Sequence, residues 1–295
     1  MGTLKKPQGL LDSPAQGTDS AATMRTVLVF GASGAVGRFL LPQLRPHYKV
    51  LPVSRGERSD WIRGDLNDPG VHWPAADVVM SLGPLDAFAA WLQRQTDAPQ
   101  RVIALSSMSA ESKRESPDPA ERDLAARLRA AEASVLATGA DRAIFCTIFR
   151  PTLIYGAGVD RSLAPIARFA RRWHLLPIPL GATGLRQPVH ADDLAGACLA
   201  VVDNIATYGK TYALGGGERL SFSSMLQRLR AAQSGFIAAL PVPLFALRVL
   251  AGARITPAAL ARVREPLVAD ITPAQRDFGY APRHFAAEDV LRNRP

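Results

Sequence analysis

The stretch that most limits what this chain can fold into is Thr26-Val-Leu-Val-Phe30, which runs directly into Gly31-Ala-Ser-Gly-Ala-Val-Gly37. Five residues of buried-strand character end at a glycine turn. A helical pattern begins beyond it, with Val36, Phe39, Leu40 and Leu44 on one face. Each glycine has a physical task in such a strand–turn–helix unit. Gly31 permits the tight turn, Gly34 lets the backbone come close to a pyrophosphate, and Gly37 lets the helix pack against the sheet. Ser33, Ala35 and Val36 lie at the helix start, where free N–H groups meet an anion. The unit predicts a bound dinucleotide.

Strand-like and helix-like patterns alternate from residue 25 to about 150, as expected of an α/β fold with a doubly wound parallel sheet. Expected strands lie at 48–53, 61–65, 76–80, 101–105 and 142–149. A long helix over 120–138 carries Leu124, Leu128, Ala131 and Val135 on one face. Further helices are expected near 163–173, 192–203 and 221–233. The organisation read from this is a Rossmann core over 24–160 and a small substrate lobe over 161–295, with core elements returning at roughly 185–215.

Composition narrows the function classes. The net charge of +9 comes mostly from scattered arginines, with no basic stripe interleaved with aromatics, so nucleic acid is not an expected partner. Residues 1–23 are polar, lack a signal-peptide core and read as a disordered leader, with Met24 a candidate natural start. No apolar run is long enough to span a bilayer. The nearest, Phe236 to Ala253, is interrupted by Pro241, Pro243 and Arg248, and reads as a lobe helix or a peripheral contact with a membrane or partner. Cys146 and Cys198 sit in apolar runs as free thiols, which points to a reducing compartment, the cytoplasm. The histidines and cysteines show no metal-ligand spacing.

The second strand ends at Ser54-Arg55, where an NAD-preferring site usually places an acid. A guanidinium there suits a 2′-phosphate, and Arg38 after the third glycine adds to it, so NADP is expected in preference to NAD. Ser81-Leu82-Gly83 follows the fourth strand, at the edge where a cofactor lies, and its small residues allow a close backbone approach.

The G-x-x-G-x-x-G spacing resembles the extended and atypical branches of the short-chain dehydrogenase/reductase superfamily. Asp65-Leu66 resembles that superfamily's adenine contact. Phe149-Arg-Pro151-Thr-Leu-Ile-Tyr155-Gly156 is similar to its Arg-Pro-x-x-x-Tyr-Gly element. His190-Ala-Asp-Asp193-Leu194 is similar to its His-Val-Asp-Asp-Leu element, in which His190 and Asp192 would position the substrate lobe. Asp193 reads more simply as a helix N-cap. Tyr212 to Gly217 matches the late strand and glycine turn. The resemblance spans about residues 25–230 and implies epimerase/dehydratase architecture, an NAD(P) cofactor with Pro151 beside it, and a small-molecule substrate.

One element of the resemblance is missing. Those families pair a Ser or Thr with a Tyr-x-x-x-Lys, whose phenol exchanges a proton as hydride moves. No tyrosine occurs between Tyr48 and Tyr155, and Leu124 and Leu128 fall where the pair belongs, as a core stripe. Ser106 and Ser107 leave the fifth strand with hydroxyls at the cofactor edge. Ser107 and Tyr155 are therefore the candidate acid–base set, and Glu111 and Lys113 read as solvated. Three functions follow. One is an oxidoreductase or epimerase with a non-standard acid–base set. The second is a redox sensor. The third is an accessory subunit with a structural nucleotide, resembling the nucleotide-binding accessory subunits of respiratory complex I.

Overall fold

The computed structural model describes residues 24–160, 162–246 and 262–292. The expected leader and the 247–253 part of the Phe236–Ala253 run lie outside them. In chain order the first half comprises β1 (Thr26–Phe30), α1 (Ala35–Leu44), β2 (Lys49–Ser54), β3 (Ile62–Arg63), β4 (Val78–Ser81), α2 (Leu85–Arg94), β5 (Arg101–Leu105), α3 (Ser109–Ser112), α4 (Pro119–Asp141) and β6 (Phe145–Pro151). Then come β7 (Ile154–Tyr155), α5 (Leu163–Trp173), β8 (Leu175–Pro179), β9 (Leu185–Arg186), β10 (Val189–His190) and α6 (Ala191–Ala200). The described elements finish with β11 (Lys210–Leu214), β12 (Leu220–Ser221), α7 (Phe222–Ala231), β13 (Ala238–Val242) and α8 (Thr272–Phe278).

Seven parallel strands form the main sheet in the order β11-β6-β5-β4-β1-β2-β3. The chain winds outward from β1 in both directions, so a crevice opens beyond the carboxyl ends of β1 and β4. Residues alternate in direction along β1. Val27 and Val29 join Leu40 and Leu44 of α1 and Leu194 and Cys198 of α6 on one face. Leu28 and Phe30 join Phe88 and Trp91 of α2 and Val135 of α4 on the other. Both faces of the sheet are thus covered, which is why these strands read as continuous apolar runs.

A third cluster forms the lobe core, with Tyr155, Leu163, Leu176, Met225, Phe285 and Val290 among its members. The residues after α8 tie this lobe to the sheet domain. Arg283 donates to Asp192 and Asp193, each at 2.7 Å, and the Ala286 amide donates to the Tyr155 hydroxyl at 3.0 Å.

Several local expectations change. The sixth strand starts at Phe145 rather than Arg142, because α4 runs to Asp141 and Ala143 turns the chain at φ +54°. The third strand shrinks to two residues at the sheet edge. Leu124 and Leu128 are half-buried and belong to none of the three core clusters. The buried face of α4 carries Glu121, Ala125, Glu132 and Val135 instead. Asp193 does not cap α6. His190 does, its Nδ1 accepting the Asp192 N–H at 3.1 Å, while both aspartates face Arg283. Glu111 and Lys113 are paired, with Arg150 at 2.8 Å and Glu121 at 3.4 Å.

Candidate functional site

At the crevice lies a cavity of about 610 Å³. Its floor is the β1–α1 turn, and its lining includes Gly31, Ser33, Gly34, Ala35 and Val36. Gly31 has φ +73°, and a Cβ there would sit 2.9 Å from the Leu82 carbonyl carbon. A side chain at Gly37 would come within 2.2 Å of the Ala32 oxygen, so only glycine lets α1 approach this closely. Gly34 is the N-cap of α1 and offers no side-chain hydrogen bond, and the first turn carries no acid. The helix start therefore presents free N–H groups and an uncompensated positive dipole end to the cavity.

One end of the cavity runs past β2 and β3. Ser54, Arg55, Asp65 and Leu66 line it. Asp65 Oδ1 accepts from the amide and side chain of Asn67 at 2.9 and 3.0 Å, which fixes the carboxylate. The other end runs past β4, β5 and β7, with Leu82, Gly83, Leu105, Thr152 and Ile154. Phosphates at the α1 start, an adenosine over β2 and a nicotinamide over β4 and β5 fit this layout.

A second cavity of about 270 Å³ shares Ser33 with the first and lies behind the glycine turn. It is lined by Arg38, Arg45, Arg58 and Trp61 among others. The Arg58 guanidinium lies 5.0 Å from the Trp61 ring centroid. Among the described residues, neither these three arginines nor Arg55 pairs with a carboxylate. Arg45 and Arg58 escaped the sequence reading. Arg45 is seven positions from Arg38, two helical turns along the same face, so the period of α1 contains the signal.

The remaining predicted residues do not line the main cavity. Ser81 is fully buried at the end of β4. Pro151 is buried, its carbonyl accepting the Met108 N–H at 3.0 Å. Ser107 Oγ accepts the Ser109 N–H at 3.1 Å, capping a local turn. Ser106 donates to Glu132, a buried carboxylate that also takes the Arg150 Nε at 2.9 and 3.1 Å. Arg150 bridges onward to Glu111. This network ties β5, β6, α3 and α4 together below the crevice. Tyr155 is a core residue: it is fully buried between the rings of His190 and Phe285, and burial pushes its phenol up to about 12. A phenol so buried is a reluctant proton donor.

A residue the sequence reading passed over stands in the cavity wall. Asp160 is buried; its Oδ1 accepts the N–H groups of Ser162, Leu163 and Ala164 at 3.0, 2.7 and 3.1 Å, capping α5. Among the described residues its Oδ2 has no hydrogen-bond partner. The approach to it is a turn of three successive positive-φ residues, Gly156, Ala157 and Gly158. Of these only Ala157 carries a side chain, and such a conformation is a local strain.

Comparison with known proteins agrees with the architecture. The sequence model of the NAD dependent epimerase/dehydratase family matches residues 81–215. UDP-glucose 4-epimerase of Vibrio cholerae is 23% identical over 154 residues, 52% of this chain and 46% of that protein. NADH dehydrogenase (ubiquinone) 1 alpha subcomplex subunit 9, mitochondrial, of Arabidopsis thaliana is 41% identical over 71 residues, 24% of this chain and 17% of that protein. The chain thus spans less than half the length of these curated relatives. Among solved structures, MoeE5 in complex with UDP-glucose and NAD superposes with a TM-score of 0.68 at 19% identity, covering 90% of this chain and 96% of that one. That likeness is one of fold.

Proposed function

We propose that this chain, whose residues 81–215 match the model of the NAD dependent epimerase/dehydratase family, is an NAD(P)(H)-binding protein that selects NADP(H). The observation that carries the reading is the adjoining pair of cavities. An uncapped helix start suits a pyrophosphate, and three arginines without carboxylate partners among the described residues line the neighbouring space, with Arg55 in the wall of the first. A 2′-phosphate, bearing close to two negative charges, suits that space, and an NAD-type ribose acid has no counterpart at Ser54-Arg55. Asp65 and Leu66 would meet the adenine, and Leu82 and Gly83 the ribose and nicotinamide.

A bound nicotinamide supplies hydride chemistry. This chain's residues supply binding and orientation, and the phenol-driven proton transfer of the Tyr-x-x-x-Lys pair has no counterpart, since Tyr155 is packed in the lobe core. Turnover by an oxidoreductase or epimerase route therefore rests on groups at the cavity's nicotinamide end, where Thr152, Asp160 and Ser162 stand. Both cysteines are buried free thiols, Cys146 pushed up by burial to about 11, in keeping with a cytoplasmic protein.

Titration calorimetry with NADPH and NADH tests the reading. Wild type should favour NADPH by at least about tenfold, the worth of one or two charge-assisted hydrogen bonds. Arg38→Gln and Arg58→Gln should each weaken NADPH and leave NADH unchanged. Equal affinity for both cofactors would refute the preference, and binding of neither would refute the site.

A further inference from the structure

The chain's positive charge is segregated in a way its net value hides. Residues 161–191 contain five arginines and no aspartate or glutamate; residues 219–264 contain seven arginines and again no acid. These stretches alone exceed the whole chain's net +9. The fold brings described parts of both together. β8, from the first, pairs in parallel with β13, from the second, in register Leu175↔Ala238. The Ala238 amide donates to the His174 carbonyl at 2.9 Å, so the turns before the two strands enter side by side.

That shared end carries an exposed aromatic surface. Phe169 is 44% exposed, Trp173 64% and Phe236 81%. Phe169 and Trp173 have ring centroids 6.5 Å apart, and the Arg172 guanidinium sits 5.7 Å from the Trp173 ring. Arg168, Arg171 and Arg172 are exposed on the same helix, α5, whose opposite face is buried through Leu163, Ala164, Ala167 and Ala170. Among the described residues none of the three pairs with a carboxylate. Large aromatics left in water beside arginines without carboxylate partners are a surface seeking a partner.

We propose that the aromatic–arginine end of the lobe, centred on Trp173 and Phe236, docks on the surface of an anionic lipid bilayer. The chemistry selects that partner. Trp and Phe settle at the level of lipid headgroups, and arginines around them meet anionic phosphates. Leu240, on β13, is also exposed and extends the apolar character with an aliphatic group that stacks on no base. Arg228 and Arg262 are offset by Glu218 and Glu121, but α5 carries no acid beside Arg168, Arg171 and Arg172, so no carboxylate of that helix repels a negative surface. Arg171, Arg172, Trp173 and Phe236 do not line the dinucleotide cavity, which meets α5 only at its opposite end through Asp160 and Ser162.

The test is co-sedimentation of the full chain with vesicles of phosphatidylcholine alone and of phosphatidylcholine with about one-third phosphatidylglycerol, at about 0.1 M salt. Binding is expected to the anionic vesicles only, with a blue shift in tryptophan emission that Trp173→Phe abolishes. The Arg171→Gln, Arg172→Gln double variant and the Trp173→Ala, Phe236→Ala double variant should each weaken binding about tenfold or more. All four residues are exposed, and NADPH affinity measured alongside should stay at the wild-type value. Failure of the wild type to bind anionic vesicles, or variants that bind as well as wild type, overturns the proposal. So does binding to duplex DNA that the same variants abolish, or a wild-type dimer that Trp173→Ala dissociates, since each assigns the surface to another partner.

Discussion

Asp160 holds two roles on one side chain. Its Oδ1 gathers three N–H groups at the start of α5, while Oδ2 is buried and without a partner among the described residues. Such an oxygen costs about 1–3 kcal/mol wherever nothing repays it. The two roles separate by substitution. Asp160→Ala removes the cap and should cost about 1–2 kcal/mol in a denaturant melt. Asp160→Asn keeps an oxygen for the cap and removes the charge, and should change stability by less than about 0.5 kcal/mol. Equal losses from both would mean that the cap is not what Asp160 provides. No sequence signal marked this residue, because an aspartate two residues after a glycine turn reads as an ordinary loop polar. The glycines of the β1–α1 turn were legible because their task is a backbone one, set by spacing alone. Ser107 and Tyr155 were paired on sequence order, which says nothing of burial, and burial decides what a phenol can do.

Helix α6 depends on an unusual cap. His190 accepts the Asp192 N–H through Nδ1, which requires that nitrogen to be unprotonated. Burial, reinforced by the Arg283 charge, lowers the His190 pKa below 6.5. The unfolded chain therefore takes the proton first, and stability falls as pH drops through 6.5 toward the folded value. Thermal melts from pH 7.5 downward should show this loss, and His190→Asn, which caps without titrating, should flatten it. A profile for the variant as steep as that of wild type would remove His190 from the cause. The carboxylates of Glu218 and Asp277, held low by Arg228 and Arg276, lose their contribution at more acid pH and do not overlap. At this scale the sequence was a good guide where an element is periodic and a poor one at its ends. The α5 boundaries fell as expected, while the expected sixth strand lost its first residues to the extension of α4.

Across the whole molecule, Arg101 joins parts that are far apart in sequence. It is fully buried, and its guanidinium donates to the carbonyls of Phe145, Val201 and Val202 and to the hydroxyls of Thr147 and Thr207. Burial lowers its pKa to about 10, so it keeps its charge at neutral pH. The Val201 and Val202 carbonyls lie at the end of α6, where a cation also meets the helix dipole. Arg101→Met should destabilise the fold by about 3 kcal/mol or more, through acceptors left unpaired in the core, as read by chemical denaturation. A loss below about 1 kcal/mol would show that these acceptors find other partners.

The Arg283–Val290 segment has a consequence for how the molecule comes into being. Tyr155 waits for the Ala286 amide, and the lobe core waits for Phe285 and Val290. During synthesis, the 131 positions separating Tyr155 from Ala286 take on the order of ten seconds to emerge. Throughout that interval the first half can wind its sheet, but the lobe stands open with its aromatic interior wet. The nascent chain is therefore a half-finished protein with a client surface, and the step that seals it waits for the Arg283–Val290 segment.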